Sequence, residues 1–389
     1  MNRTSQSPAD PLPSSSTNRV VPLATRLAED AFEEVGGIGA APGHYLRLVL
    51  EHRQLSQTQL AARTGLSTKH INQVVQGLVP LSSETALLLE RALNVPSRIW
   101  NDLEAAYQDS QARERSQQQL NGYDSWLKRF PLEELRSRRV IDPAADIANQ
   151  VGQLLTFFQV ADPKSYDRVW STSVASDFRR AKHLEVDPFA TAAWLRLAEQ
   201  RADVLELAEY SQEDFSALLP TLRSLMLLDD DQQALASLQH QCAQVGVGVV
   251  FVREIKGARA CGAARWPRPT NPMIVLSGRH RYADIFWFTF FHEAVHILLH
   301  PKRETYIDVE IRGDDSDGME AQADRAAGRY LVGAQLAKKL RPGLRHDEVR
   351  RLADEAGVHV GIVAGQLCHA LNDYQKYGKL RRMVEMPSE

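Results

Sequence analysis

Ile285-Phe-Trp-Phe-Thr-Phe-Phe-His292-Glu293-Ala-Val-His296-Ile-Leu-Leu299 is the longest apolar run in the chain, interrupted by two histidines and a glutamate. It falls short of the roughly 20 residues that a membrane-spanning helix needs, so it predicts a buried helix, beginning near Asp284. Residues four apart share one helical face, which lets the imidazoles of His292 and His296 converge on a single ion with Glu293 beside them. Burying two histidines and a glutamate among phenylalanines is costly unless something compensates. A metal ion does so, and H-E-x-x-H is the spacing of a catalytic zinc site. Zinc polarises a carbonyl and brings the pKa of a water to about 7. Glu293 is then expected as the general base, and peptide-bond hydrolysis as the reaction.

A third protein ligand is required, and His300, Glu304, Asp308, Glu310 and Glu320 are the candidates. His300 lies one further turn along the helix, too far along its axis to close easily on the same ion. Its expected place is the helix end, favoured by the dipole. Glu320 is the choice among the five. It opens Glu320-Ala-Gln-Ala-Asp324, where the same four-residue spacing on a predicted helix puts a second carboxylate, Asp324, in reach of a zinc-bound imidazole's remaining N–H. The longer motif of the metzincins needs glycine and histidine where Leu299 and Lys302 stand, so that class is excluded.

Upstream of this helix, Gly246 to Val252 and Met273 to Leu276 read as strands, the second a possible edge for an extended peptide. Downstream, helices are expected near Glu320 to Val332, His346 to Ala356 and Ile362 to Leu371. The last third is therefore α+β. Residues 121–240 space Leu, Ala, Trp and Phe at helical intervals, which predicts a helical connecting domain. Gln108 to Gln119 is polar throughout, an exposed helix or a linker, and a domain boundary is placed there.

Near the other end, Leu55-Ser-Gln-Thr-Gln-Leu-Ala-Ala-Arg-Thr-Gly65-Leu-Ser67-Thr-Lys-His-Ile71-Asn-Gln-Val74 reads as helix, turn, helix. Ala61 is small where the helices cross, Gly65 supplies a positive φ, and Ser67 caps the second helix. Leu60, Leu66, Ile71 and Val74 point inward. Gln57, Thr68, Lys69, His70, Asn72 and Gln73 are left for DNA, being types that suit base edges and phosphates. Glycines and prolines punctuate residues 43–107 into about five short helices. That stretch holds six Lys and Arg against five Asp and Glu, so bulk electrostatics would contribute little and a homodimer reading two half-sites is expected.

A length of 389 residues with 43% apolar and 24% charged composition fits a multidomain, mainly α chain with a sizeable core. The net charge of −3 excludes a surface coated in basic residues. Cys242, Cys261 and Cys368 are odd in number and far apart, without a C-x-x-C pair. The Ser- and Pro-rich start has no signal-peptide core. Together these predict a cytoplasmic protein with no membrane partner. The expected organisation is a flexible tail (1–35), a helix-turn-helix domain (40–108), the connector (121–240), a metallopeptidase domain (244–375) and a C-terminal tail (376–389).

Two resemblances sharpen this reading. Pro42 to Trp100, with Leu55-Ser-Gln, Gly65-Leu-Ser, Ile71, Gly77, Pro80, Glu84-Thr-Ala-Leu and Trp100, resembles the Xre-type helix-turn-helix of HigA-like antitoxins. That implies a five-helix, lambda-repressor-like fold, operator binding and repression. Phe286 to Glu293, Leu298-Leu-His300, Glu320 with Ala323-Asp324-Arg325, Gly262 to Trp266 and Gly361 to Gly365 resemble the ImmA/IrrE metallopeptidases and, more distantly, the gluzincin pattern of thermolysin-like enzymes. Asp177-Phe-Arg-Arg through Arg196 is similar to the connector found where the two modules are fused. The resemblance implies a zincin-like fold binding Zn2+, and a protein substrate or partner such as a repressor or toxin. The chain departs from the family at Ala326, Gly333 and Gln366, where Phe, Pro and Arg are frequent. Loss of the arginine leaves His369 as a possible stabiliser of the transition state. Two other functions fit the same motifs: an antitoxin-like repressor whose zinc is structural, and a DNA-binding protein whose peptidase domain serves as a ligand sensor.

Overall fold

The computed structural model describes residues 41–171, 186–300, 305–309, 318–371 and 374–387. The expected tail 1–35, and with it Glu304, Glu310 and Asp177 to Arg180, lies outside these. The chain divides into two compact units, meeting between Gln119 and Leu120.

Among its described residues the first unit has five helices: α1 (Pro42–His52), α2 (Gln57–Thr64), α3 (Thr68–Val75), α4 (Ser83–Leu93) and α5 (Ser97–Leu120). Each start has a local cause. Ser56 and Gln59 form a reciprocal capping box on α2, and the Ser67 side chain accepts from the His70 amide at the start of α3. Gly65, at φ +75°, closes α2 in the left-handed region and aims the chain into α3. Leu60, Ile71 and Val74 join Leu46, Leu89 and Trp100 in one core, with Leu66 packed partly buried against it. The polar stretch Gln108 to Gln119 is helical, continuing α5. Because the Ser67 cap satisfies an otherwise orphaned amide, Ser67→Ala is expected to cost the unit about 1 kcal/mol, read from the denaturant midpoint at unchanged slope.

The second unit is built on a four-stranded sheet in the order β1-β3-β2-β4, with β1 (Gly248–Phe251), β2 (Ala260–Arg265), β3 (Met273–Leu276) and β4 (Tyr306–Val309). β1 runs parallel to β3, and the other two pairings are antiparallel. β3 is therefore an interior strand whose backbone is occupied on both sides, so Met273 to Leu276 offers no edge for a peptide. The edges are β1 and β4. Neither β2 nor β4 is legible in the sequence, since Ala-Cys-Gly-Ala-Ala-Arg has little strand propensity and β4 is only four residues long.

Side chains alternate across the strands, and each face of the sheet seeds a core. Val250, Val252, Met273 and Val275 pack with α6 (Ile147–Phe158) and α7 (Pro188–Asp203). Trp194 of α7 donates its indole N–H to the Val252 carbonyl at 2.9 Å. The helices expected as a separate connector thus share a core with the sheet. Val249, Ala264, Ile274 and Leu276 pack on the other face, with α8 (Asp231–Gln244) and the long apolar helix α9 (Ala283–Leu299). Its Phe286, Trp287, Phe290 and Phe291 are all buried. Burying each such ring contributes roughly 1.5–3 kcal/mol, which fixes α9 against the sheet. Three longer helices follow, α10 (Gly318–Val332), α11 (His346–Ala356) and α12 (Val360–Leu371), with shorter helical segments elsewhere in the unit.

Residues 376–387 are packed, although a tail is expected there. Tyr377 is fully buried, the Ala283 amide donates to the Arg382 carbonyl, the Val384 amide donates to the Arg281 carbonyl, and Arg381 forms a buried pair with Asp284 at the first turn of α9. The basic look of Lys379-Leu-Arg-Arg suggests solvent. One of those charges is instead matched to a buried carboxylate.

Candidate metal centre and nucleic-acid interface

His292 and His296, one turn apart on α9, are 5% and 1% exposed, and their Nε2 atoms lie 2.9 Å apart. Glu320, in the first turn of α10, brings Oε2 to 3.1 Å from His292 Nε2 and 3.4 Å from His296 Nε2. Bonds of 2.0–2.1 Å to a tetrahedral ion place neighbouring donor atoms about 3.3 Å apart. The three observed separations bracket that spacing, so the donor set fits zinc in kind and in dimension. Among the described residues this is the one His/Cys/Asp/Glu cluster able to hold an ion.

The electrostatics agree. Burial, helped by the neighbouring His292 and His300, pushes the His296 imidazole down to about 4, against the opposing pull of Glu320. Burial would raise Glu320, but its hydrogen bonds and charge interactions with both histidines outweigh this and hold the carboxyl well below the usual range. At neutral pH the pair therefore stands as a neutral imidazole and a carboxylate anion, the forms in which they ligate a divalent cation.

Other groups surround the two imidazoles. Asp324, one turn after Glu320, brings Oδ1 to 2.9 Å from His292 Nδ1. His300, the residue that ends α9, approaches His296 Nδ1 with its own Nδ1 at 2.7 Å. Tyr306 of β4, buried, stacks on the His296 ring at 4.3 Å and 24°. Sequence reasoning placed His300 at the helix end, where it lies, and missed Tyr306. The signal for His300 was its i+4 spacing from His296. Tyr306 sits in a strand too short to read. Asp308 contributes its backbone to β4 opposite Gly262.

Glu293 is fully buried where α9 meets β2. Gly262 makes room for it: a Cβ there would stand 2.4 Å from Thr289 Cγ2 and 3.1 Å from both Cγ and Oε1 of Glu293. A register shift between Ala260 and Gly262 marks the same place, as bulges often do beside active sites. Gly262→Ala is accordingly expected to displace Glu293 and to cost the unit about 1–3 kcal/mol by overpacking, read from the denaturant midpoint. A wild-type midpoint would show that the strand gives way instead. His369 is not brought to the cluster. It is exposed on α12, and no hydrogen bond or ion pair among the described residues connects it to the three donors.

In the first unit, Thr68 and Lys69 are exposed at the start of α3, while His70, Asn72 and Gln73 are half-buried on its outer side. Gln57, at the start of α2, is half-buried too. None of the six is consumed by the core.

Fold and site together define a helix-turn-helix module followed by a metallopeptidase-like domain. Residues 46–100 match the family model described as helix-turn-helix, and residues 246–378 match a peptidase-family model described as IrrE N-terminal-like domain. Among solved structures, an addiction module antidote protein of a HigA family from Coxiella burnetii aligns at 23% identity over 21% of this chain and 89% of its own length, with a TM-score of 0.20. That score is too low to carry an argument. No curated protein matches the chain. The two family matches support a transcription regulator that combines a DNA-binding domain with a peptidase-like one. No helix among the described residues is long and apolar enough to cross a membrane.

Proposed function

We propose that this chain is a DNA-binding regulator whose second unit hydrolyses peptide bonds in a partner protein, such as a repressor or another regulator, and so relieves or alters control of transcription. The observation that carries this reading is the convergence of His292, His296 and Glu320 within one buried cluster on the helix that also bears Glu293. His292, His296 and Glu320 would hold Zn2+, with Asp324 orienting His292. The ion, when bound, supplies a Lewis acid that polarises the scissile carbonyl and acidifies water.

The protein's own part is proton handling and positioning. Glu293 accepts a proton from the attacking water and passes it to the leaving amine. The carboxylate of Glu320 and the neutral imidazole of His296 keep the donor set in ligating form across neutral pH. In the first unit, Gln57, Thr68, Lys69, His70, Asn72 and Gln73 face an operator, and two copies of the chain would read its two half-sites.

Metal analysis of purified protein, combined with Glu293→Gln assayed against proteins encoded beside it, tests the proposal. Stoichiometric zinc in both forms, cleavage by the wild type alone and operator binding by both are expected. Zinc in both forms with no cleavage of any partner would instead favour a repressor whose metal is structural.

A further inference from the structure

His300 closes the helix that carries the two histidine donors, and its role is unassigned by the hydrolytic reading. From the 2.7 Å contact between His300 Nδ1 and His296 Nδ1, we propose that His300 is the positioning residue for His296, accepting a hydrogen bond that fixes that ligand's tautomer and ring plane. This rests on the metal reading above.

The argument is one of hydrogen bookkeeping. A neutral imidazole carries one N–H. If His296 ligates through Nε2, the nitrogen facing His292 Nε2 and Glu320 Oε2, its single hydrogen must be on Nδ1. That nitrogen points at His300 Nδ1. Two nitrogens 2.7 Å apart share one proton, so His300 Nδ1 is the acceptor and its own hydrogen is on Nε2. The neutral form follows from ligation itself, since an imidazole binds a divalent cation only when neutral.

The two ligand histidines are therefore supported differently. His292 Nδ1 has a carboxylate, Asp324, at 2.9 Å, and His296 Nδ1 has an imidazole at 2.7 Å. The fold places His300 for this task. The backbone stops being helical there, at φ −111° and ψ 161°, while its amide still donates to the His296 carbonyl. That bond keeps His300 one helical repeat beyond His296 on the same face, where side chains four residues apart are neighbours. Tyr306 lies against both rings, at 4.3 Å from His296 and 5.4 Å from His300, and bounds the pair on one side.

Two replacements separate the hydrogen bond from the space it fills. Asn places Oδ1 where the histidine has Nδ1 and can accept; Leu has a similar shape and cannot. Zinc affinity is measured on the full-length protein by competition with a chromophoric chelator, alongside the melting temperature of the metal-free protein. His300→Leu is expected to bind zinc about 10–100-fold more weakly, His300→Asn to recover most of that loss, and both to melt with the wild type when metal-free. Wild-type affinity in His300→Leu would overturn the proposal. So would an equal loss in both variants with a lowered metal-free melting temperature, which would make His300 a packing residue. A wild-type protein that binds no zinc would overturn the metal reading itself, an outcome distinct from the other two.

Discussion

Glu293→Gln is expected to slow cleavage of the partner protein by about 10²–10⁴-fold, the range a general base contributes, while leaving zinc content, fold and operator binding unchanged. The substitution is close to isosteric and removes the proton acceptor. Glu293 is fully buried against β2 and is not one of the three converging donors, so metal retention should not depend on its charge. The decay of intact partner under single-turnover conditions measures the effect, with zinc determined on the same sample. Loss of zinc in the variant would make Glu293 part of the ligand set. Unchanged decay would move the base elsewhere.

The residues behind that prediction were legible to different degrees, for physical reasons. H-E-x-x-H could be read because the helix period of 3.6 fixes which side chains share a face, and because so apolar a segment leaves few ways to accommodate two histidines and a glutamate. Glu320 and Asp324 were legible by the same period on a second helix. Its meeting with α9 was not, because sequence spacing carries no information on which helices pack together. Gly262 is invisible to propensity, since its value lies in the absence of a Cβ where Thr289 and Glu293 crowd the strand.

His300 and His369 show how much of a histidine's place can be read from sequence. The first, expected at the helix end, does end α9, and its place four residues after His296 on one face brings the two rings together. The second was considered for the site as a histidine close to the departure at Gln366, but it lies exposed on α12. Of the two, the residue with a packed neighbour is the one placed to act. Short strands illustrate the same limit: β2 and β4 are defined by their partners across the sheet rather than by their own composition.

Arg381→Ala is expected to destabilise the second unit by about 3–5 kcal/mol, the usual cost of leaving half of a buried ion pair behind. The guanidinium meets both carboxylate oxygens of Asp284, with Nε 3.0 Å from each and a terminal nitrogen 2.9 Å from Oδ2. The side chains are 6% and 7% exposed, and the guanidinium also lies 3.8 Å over the Tyr282 ring. Burial pushes the Asp284 carboxyl up, while the hydrogen bonds and charge of Arg381 oppose that rise. Removing Arg381 leaves that push opposed only by a backbone hydrogen bond. The carboxyl must then bind a proton or stay charged in an apolar place, and either choice weakens the first turn of α9, two turns before His292. In thermal unfolding the melting temperature should fall by on the order of 10 °C. The second variant decides the cause: Asp284→Asn combined with Arg381→Met removes both charges and should recover most of the loss, because a buried pair exchanged for uncharged groups of similar volume is often close to neutral. If the double variant is as unstable as Arg381→Ala alone, the C-terminal segment holds α9 through packing and backbone hydrogen bonds, and the ion pair contributes little to the clasp.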